Sequence, residues 1–226
     1  MTFIETTPPE SASDAVAAMY LRQQSVWGYI PNYAKAFCYR PEVLARWGKL
    51  LAEIRRPMED RRFELVTFVT AYELGNSACA IAHGKALRRF FTDEQIQAIA
   101  GGRFDGILTR AEQAMVKFAR QIAINASQVT AHEIAALREH GYSDPEIFDI
   151  AAASAGRAFF AKLLDALGVE LDSPFLALDE SFRHALTVGR PIDAHACVTM
   201  PVAEPLHVGL APEADALKSA LQRTGT

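Results

Sequence analysis

Apolar residues along positions 11–170 recur at the spacing of amphipathic helices, and alternating strand patterns are rare. In residues 40–56, Pro41 suits a first helical turn, and apolar side chains then share one predicted face. That face carries Val43, Leu44, Trp47, Leu50 and Leu51. Residues 11–24 and 143–168 predict further helices, the second either continuous or made of two joined pieces. The pattern therefore predicts an all-α domain.

Short polar signals mark the predicted helix boundaries. Thr92, Thr109 and Thr130 are each followed three residues later by Gln or Glu. This is the capping-box spacing, in which two side chains satisfy the free backbone N–H groups at a helix start. Gly141 and Gly168 are predicted helix stops, because glycine readily adopts the backbone conformation that ends a helix.

The composition of the chain changes after Gly168, because five of the eleven prolines lie beyond it. A short helix is predicted at 178–187 and a final amphipathic helix near 211–222, within an otherwise irregular tail. We therefore divide the chain into a helical domain, residues 1–175, and a C-terminal extension, residues 176–226. The extension is expected to pack on the core or on a neighbouring subunit.

Composition narrows the classes of partner and location. The chain has 226 residues and a formal net charge of −4, which gives no electrostatic reason to expect nucleic acid or an anionic membrane. No apolar run approaches the ~18 residues of a membrane span, and the first residues do not resemble a secretory signal. We expect a cytoplasmic protein. Three cysteines, Cys38, Cys79 and Cys197, are too few for a disulfide scaffold and are expected to be thiols.

The segment 61–90 carries the candidate chemistry. Residues 63–74 are apolar almost all round, which predicts a helix buried on most sides. Glu64 lies within this helix. It is either a paired or protonated buried carboxyl group, or a first-turn residue on a solvent stripe beside Arg61 or Arg62.

A second helix is predicted to start directly after Gly75, with Asn76 as its N-cap. Cys79 then occupies the third helical position, and His83 follows one turn later on the same face. The helix dipole, free backbone N–H groups and a nearby imidazolium would lower the pKa of the Cys79 thiol. The alternative is that Cys79 is a small buried apolar residue and His83 its polar neighbour.

The motif resembles the carboxymuconolactone decarboxylase superfamily, and within it the peroxidase-related branch that is similar to alkylhydroperoxidase D (AhpD). That family carries a glutamate and, twelve residues later, Cys-x-x-Cys-x-x-x-His. Here Glu64, Cys79 and His83 match, and Asn76 replaces the first cysteine. The resemblance covers residues 30–175, including "IPNYAKAFCYRPEVLARWGKLL" and residues 108–172.

The resemblance implies an AhpD-like helical bundle that forms a homo-oligomer, a trimer or a hexamer. It also implies a thiol-dependent peroxidase acting on small hydroperoxides, with Cys79 as nucleophile, His83 as base and Glu64 as orienting carboxylate. Because Asn76 cannot close a disulfide, the enzyme would work with one cysteine and an external thiol reductant. Cys38 and Cys197 are weaker candidates for the resolving thiol. No metal or organic cofactor is expected.

Two other functions remain open from the sequence. One is an acid–base decarboxylase-like enzyme, in which Glu64 and His83 carry protons for a small organic acid and a basic residue holds its carboxylate. Arg157 is a candidate for that anchor or a paired structural arginine. The other is a binding or scaffold protein that has kept the fold. If Cys79 lies at the start of its helix, we expect its sulfur and a His83 ring nitrogen within hydrogen-bonding or one-water distance, and Glu64 within one water of either.

Overall fold

The computed structural model describes residues 2–190, and this part of the chain contains α-helices and short 3₁₀ turns but no strand. In chain order the helices are α1 (Asp14–Trp27), α2 (Asn32–Ala36), α3 (Pro41–Arg55), α4 (Asp60–Glu73), α5 (Ser77–Leu87), α6 (Asp93–Ala100), α7 (Arg110–Asn125), α8 (Ala131–Glu139), α9 (Asp144–Ala166) and α10 (Glu180–Leu186). The predicted all-α class is confirmed. Cys197 and the helix predicted near 211–222 lie outside the described residues.

The predicted helix starts are confirmed where short-range hydrogen bonds define them. Thr92, Thr109 and Thr130 each form a complete capping box with the Gln or Glu three residues later. Ser143 caps α9 in the same way, and α9 then runs without interruption to Ala166. The alternative of two joined pieces is therefore excluded for this helix.

Helix α4 is the centre of the bundle and packs against α5, α7 and α9. Every residue from Phe63 to Ala71 is buried, as the apolar pattern around this helix predicts. At its first turn, Arg61 and Arg62 pair with carboxylates of α7 and α9, at 2.7 Å each. Because Arg61 and Arg62 pair with these other carboxylates, neither is the partner of Glu64, which lies on the inner side of the same turn.

Helix α3 buries a narrower face than the sequence predicts. Leu44, Trp47 and Leu51 are buried, but Val43 is 39% and Leu50 56% exposed. The five apolar residues still lie on one side of α3, but only part of that side is buried. Val43 and Leu50 are seven residues apart, so they lie next to each other along the helix. They flank the buried residues of α3, the helix that packs on α9.

The last described helix, α10, packs on α5 and α6. Phe182 and Leu186 are fully buried there. Gly84 allows this close approach, because a Cβ atom at that position would lie 2.5 Å from a Leu186 methyl carbon. The contact of residues beyond 190 with a neighbouring subunit stays a prediction. None of the helices in residues 2–190 is long and apolar enough to cross a membrane.

Candidate active site

The start of α5 places Cys79 as the sequence predicts. Gly75 ends the preceding turn with a φ of +73°, a conformation that glycine adopts at no steric cost. Asn76 then caps α5, and its Oδ1 accepts a 2.7 Å hydrogen bond from the Cys79 N–H. Its Nδ2 donates to the Ala161 carbonyl at 3.3 Å, which ties the cap to α9. Cys79 is therefore the third residue of the helix.

Glu64 and His83 meet inside the bundle. Glu64 is 0% and His83 1% exposed, so the alternative that Glu64 lies on a solvent stripe is excluded. His83 Nδ1 lies 2.8 Å from Glu64 Oε2 and 3.0 Å from the Thr67 hydroxyl. The Thr67 hydroxyl donates to the Phe63 carbonyl at 2.8 Å, so it is an acceptor towards the ring. Both contacts therefore place the proton on Nδ1 and leave Nε2 with its lone pair.

His83 is a neutral base in this setting. Burial lowers the pKa of His83 from its ordinary 6.5 to about 4, and the Arg157 charge lowers it too, while the Glu64 carboxylate opposes both. The imidazolium that the sequence led us to expect beside Cys79 is therefore absent at neutral pH. A neutral ring held by a carboxylate at Nδ1 is suited to accept a proton at Nε2.

Arg55 completes the surroundings of Glu64, and sequence reasoning did not identify it. Its Nη2 lies 2.7 Å from Asp60 Oδ1 and 3.9 Å from Glu64 Oε1. Oε1 has no hydrogen-bond partner among residues 2–190. Thr67 was also missed, although its position three residues after Glu64, one turn along α4, is a local signal.

The predicted lowering of the Cys79 pKa is wrong for the resting structure. The side chain is 5% exposed, and burial, the largest cause, raises the pKa of the thiol above its ordinary 9.0. The Asn76 cap already occupies the Cys79 N–H that a thiolate would have used. Since His83 is neutral as well, the sulfur is protonated at neutral pH and needs a base.

Arg157 brings a positive charge to the sulfur. It is 4% exposed, and its Nη1 lies 4.0 Å from Cys79 Sγ. This guanidinium is the main influence that lowers the pKa of Cys79, against the effect of burial. The two residues are 78 positions apart, so only the packing of α9 on the α4–α5 pair brings them together.

Cys79, His83 and Arg157 open on one cavity of about 100 Å³. A cavity needs only ~10–15 Å³ to hold a single water molecule, so this one is large enough for a small organic molecule. Aromatic rings make up a large part of the wall, those of Trp27, Tyr29, Tyr33, Trp47, Phe63, Phe160 and Phe175. The Asp172 carboxyl also lines the cavity, and burial raises its pKa to about 6.

The remaining predictions concern the contact between Cys79 and His83, the other thiols and a metal site. Cys79 and His83 share the cavity, but no direct hydrogen bond joins them within the described part of the chain. Cys38 is buried away from this cavity and accepts a 3.4 Å contact from the Thr7 N–H. Within residues 2–190, no group of three or more His, Cys, Asp or Glu side chains could hold a metal ion.

Comparison of the fold with solved structures gives strong likenesses at low sequence identity. An uncharacterised peroxidase-related protein from Ralstonia eutropha JMP134, described as an alkylhydroperoxidase AhpD core, matches with a TM-score of 0.68 and 19% identity over 84% of this chain and 98% of that one. The chain has the AhpD fold. A second peroxidase-related protein, from Silicibacter sp. TM1040, matches with a TM-score of 0.62 and 18% identity over 77% of this chain and 91% of that chain.

The AhpD fold also occurs in an enzyme of another activity. The debrominase Bmp8 matches with a TM-score of 0.65 and 14% identity over 81% of this chain and 98% of that chain. A cysteine-to-alanine variant of Bmp8 matches in complex with 2,3,4-tribromopyrrole. No family model and no curated protein matches the chain. The AhpD neighbours are consistent with the superfamily that the sequence resembles, and at these identities they establish the fold alone.

Proposed function

We propose that this AhpD-like protein is a thiol-dependent oxidoreductase that reduces hydroperoxides through Cys79, with His83 as base and Glu64 as its orienting carboxylate. One observation carries the proposal: the sulfur and the imidazole open on the same cavity, while Glu64 binds the ring at Nδ1. The peroxidase-related neighbours support this chemistry. The cytoplasmic location predicted from the sequence would supply the thiol reductant.

The first half-reaction consumes one hydroperoxide. His83 Nε2 takes the thiol proton, directly or through one water, and Glu64 stabilises the resulting imidazolium. The thiolate attacks the distal oxygen of ROOH, so an S–O bond forms and the O–O bond breaks. The departing alkoxide takes the proton back from Nε2 as ROH, and Cys79 is left as a sulfenic acid.

The second half-reaction uses two external thiols, because Asn76 has no sulfur to offer. The first thiol condenses with the sulfenic acid to give a mixed disulfide and water. The second attacks that disulfide, releases the oxidised reductant and restores the Cys79 thiol. Neither half-reaction requires a metal or an organic cofactor.

The aromatic lining favours an organic hydroperoxide over hydrogen peroxide. With excess dithiothreitol, the full chain should consume cumene hydroperoxide with saturation, because the phenyl ring fits against the cavity wall. Hydrogen peroxide makes no such contact and should not saturate over the same concentrations. Consumption of cumene hydroperoxide no faster than with dithiothreitol alone would refute the proposal.

An acid–base enzyme acting on a small organic acid is the second candidate. The observation that favours it is the buried Arg157 guanidinium beside the His83–Glu64 pair, an arrangement that does not need the sulfur. The need for the Cys79 thiol distinguishes the two candidates. Substrate turnover that survives Cys79→Ser but is lost in Glu64→Gln would indicate acid–base catalysis. A non-catalytic scaffold predicts no substrate turnover in either case.

Restoring the missing cysteine should change the product of oxidation. After one equivalent of hydroperoxide, Asn76→Cys should lose two hydrogens as its new thiol closes a disulfide with Cys79, whereas the wild type should carry a sulfenic acid. Mass spectrometry distinguishes the two. Loss of the cap should cost about 1 kcal/mol of unfolding free energy. Asn76→Ser is the matched control, since it keeps a capping oxygen but no sulfur, and a two-hydrogen loss there would contradict the prediction.

We also propose that the protein is a homo-oligomer, a trimer or a hexamer. Phe148 is 69% and Phe159 46% exposed, and both lie on one side of α9 because they are eleven residues apart. Exposed Val43 and Leu50 form a similar strip on α3, which packs on α9. Such apolar surface is typical of a subunit interface. Sedimentation at micromolar concentration should show an oligomer that Phe148→Glu weakens, and a wild-type monomer would contradict this.

A further inference from the structure

Arg157 is a buried cation for which residues 2–190 supply no counter-ion. Three other half-buried arginines, Arg61, Arg62 and Arg120, each face a carboxylate within 3.1 Å. Arg157 is more deeply buried, yet no carboxylate of the described chain pairs with it. Its Nε has no hydrogen-bond partner there, and its polar contact with Cys79 is long, at 4.0 Å.

This arrangement is costly unless an anion completes it. A guanidinium keeps its proton at any physiological pH, so it cannot relieve the cost of burial by becoming neutral. The rings of Trp47 and Phe160 offset part of that cost, since the Arg157 Cζ lies 5.4 and 5.5 Å from their centroids. Aromatic faces satisfy none of its N–H donors, however.

The surroundings select the kind of anion. The cavity wall carries two positive side chains, Arg55 and Arg157, and two carboxyl groups, those of Glu170 and Asp172. The wall therefore has no excess positive charge to hold a dianion such as phosphate. A carboxylate has a single charge and a planar edge that matches the guanidinium. The aromatic wall accommodates an apolar body beside it.

The position next to the sulfur fixes where the reaction takes place. Arg157 Nη1 is 4.0 Å from Cys79 Sγ, so a carboxylate bonded to the guanidinium is also close to the sulfur. We propose that Arg157 is the anion anchor of the site, and that the substrate carries a carboxylate two or three bonds from its reacting atom. This names the substrate class for the proposed function and rests on it only in placing the substrate at Cys79.

Two alkylating agents of nearly equal size test the anchor without any peroxide. Iodoacetate and iodoacetamide both transfer a two-carbon group to the thiolate and release iodide, but only iodoacetate has a carboxylate. The ratio of their rates at Cys79, read on its peptide by mass spectrometry, cancels the thiolate fraction. In the native chain the ratio should exceed that of the denatured chain by about tenfold or more, as one charge-assisted hydrogen bond allows.

Arg157→Gln should lower this ratio to that of the denatured chain. Lys162→Gln removes a charge from an exposed position of the same helix and should keep it. As a test that needs no variant, benzoate should protect wild-type Cys79 from iodoacetamide better than benzamide does. A native ratio equal to the denatured one, a ratio that survives Arg157→Gln, or equal protection by benzoate and benzamide would each overturn the anchor. Failure of hydroperoxide turnover alone would overturn only the proposed peroxidase.

Discussion

Cys79→Ser is expected to abolish thiol-dependent hydroperoxide consumption. Serine keeps the shape of the side chain but replaces the sulfur, which alone forms the sulfenic acid. We expect a fall of about 10³-fold or more, the scale on which a lost nucleophile acts. The measurement is the rate of cumene hydroperoxide loss with excess dithiothreitol.

Cys38→Ser is a close control for this change. Both thiols are buried, at 6% for Cys38 and 5% for Cys79, so either substitution leaves a similar defect in the packing. Cys38 lies outside the cavity, and its loss should leave the rate unchanged. Equal losses from both variants would point to destabilisation, and an unchanged rate in Cys79→Ser would remove the thiol from the mechanism.

Glu64→Gln is the second change with a large expected effect. The carboxylate fixes the proton on His83 Nδ1 at 2.8 Å and opposes the effects that lower the pKa of His83. Without it, the ring is a weaker base towards a thiol whose own pKa is raised by burial. General acid–base catalysis contributes about 10²–10⁴-fold, so we expect a loss of kcat/KM in that range.

The role of Glu64 also predicts the direction in which the pH profile of the activity should shift. The wild-type site needs neutral His83, so activity should be lost as pH falls through about 4, the pKa of His83. In Glu64→Gln that pKa falls further, and the acid limb should move to lower pH as the rate drops. Glu73→Gln is the control, because Glu73 lies on the same helix and pairs with Arg120 at 3.1 Å outside the cavity. An acid limb that stays in place, or an equal loss in both variants, would contradict the role of Glu64.

Local sequence signals predict the parts of this molecule that depend on local contacts. The capping boxes at Thr92, Thr109 and Thr130 and the Asn76 cap each involve side chains three residues from their partners. Their hydrogen bonds form wherever the helix forms, so the tertiary structure changes little about them. The position of Cys79 in the first turn of α5 follows from the same rule.

Tertiary packing decides what the local pattern leaves open. The pattern allowed Glu64 to face solvent or the core, and only the contacts of α4 with α5, α7 and α9 bury it. The helix start favoured a low pKa for Cys79, but burial from distant elements reverses the direction. Arg157 reaches the sulfur from 78 residues away, which no short-range rule describes. Val43 and Leu50 are exposed because the neighbours of α3 cover a narrower stripe than its apolar pattern.

The most direct test of the central claim is chemical trapping of oxidised Cys79. Native protein receives one equivalent of cumene hydroperoxide in the presence of dimedone, and its cysteine peptides are analysed by mass spectrometry. We expect a dimedone adduct on Cys79 and none on buried Cys38, which lies outside the cavity. If native Cys79 forms no adduct while the denatured chain forms one readily, Cys79 is a packing residue and the peroxidase mechanism is wrong.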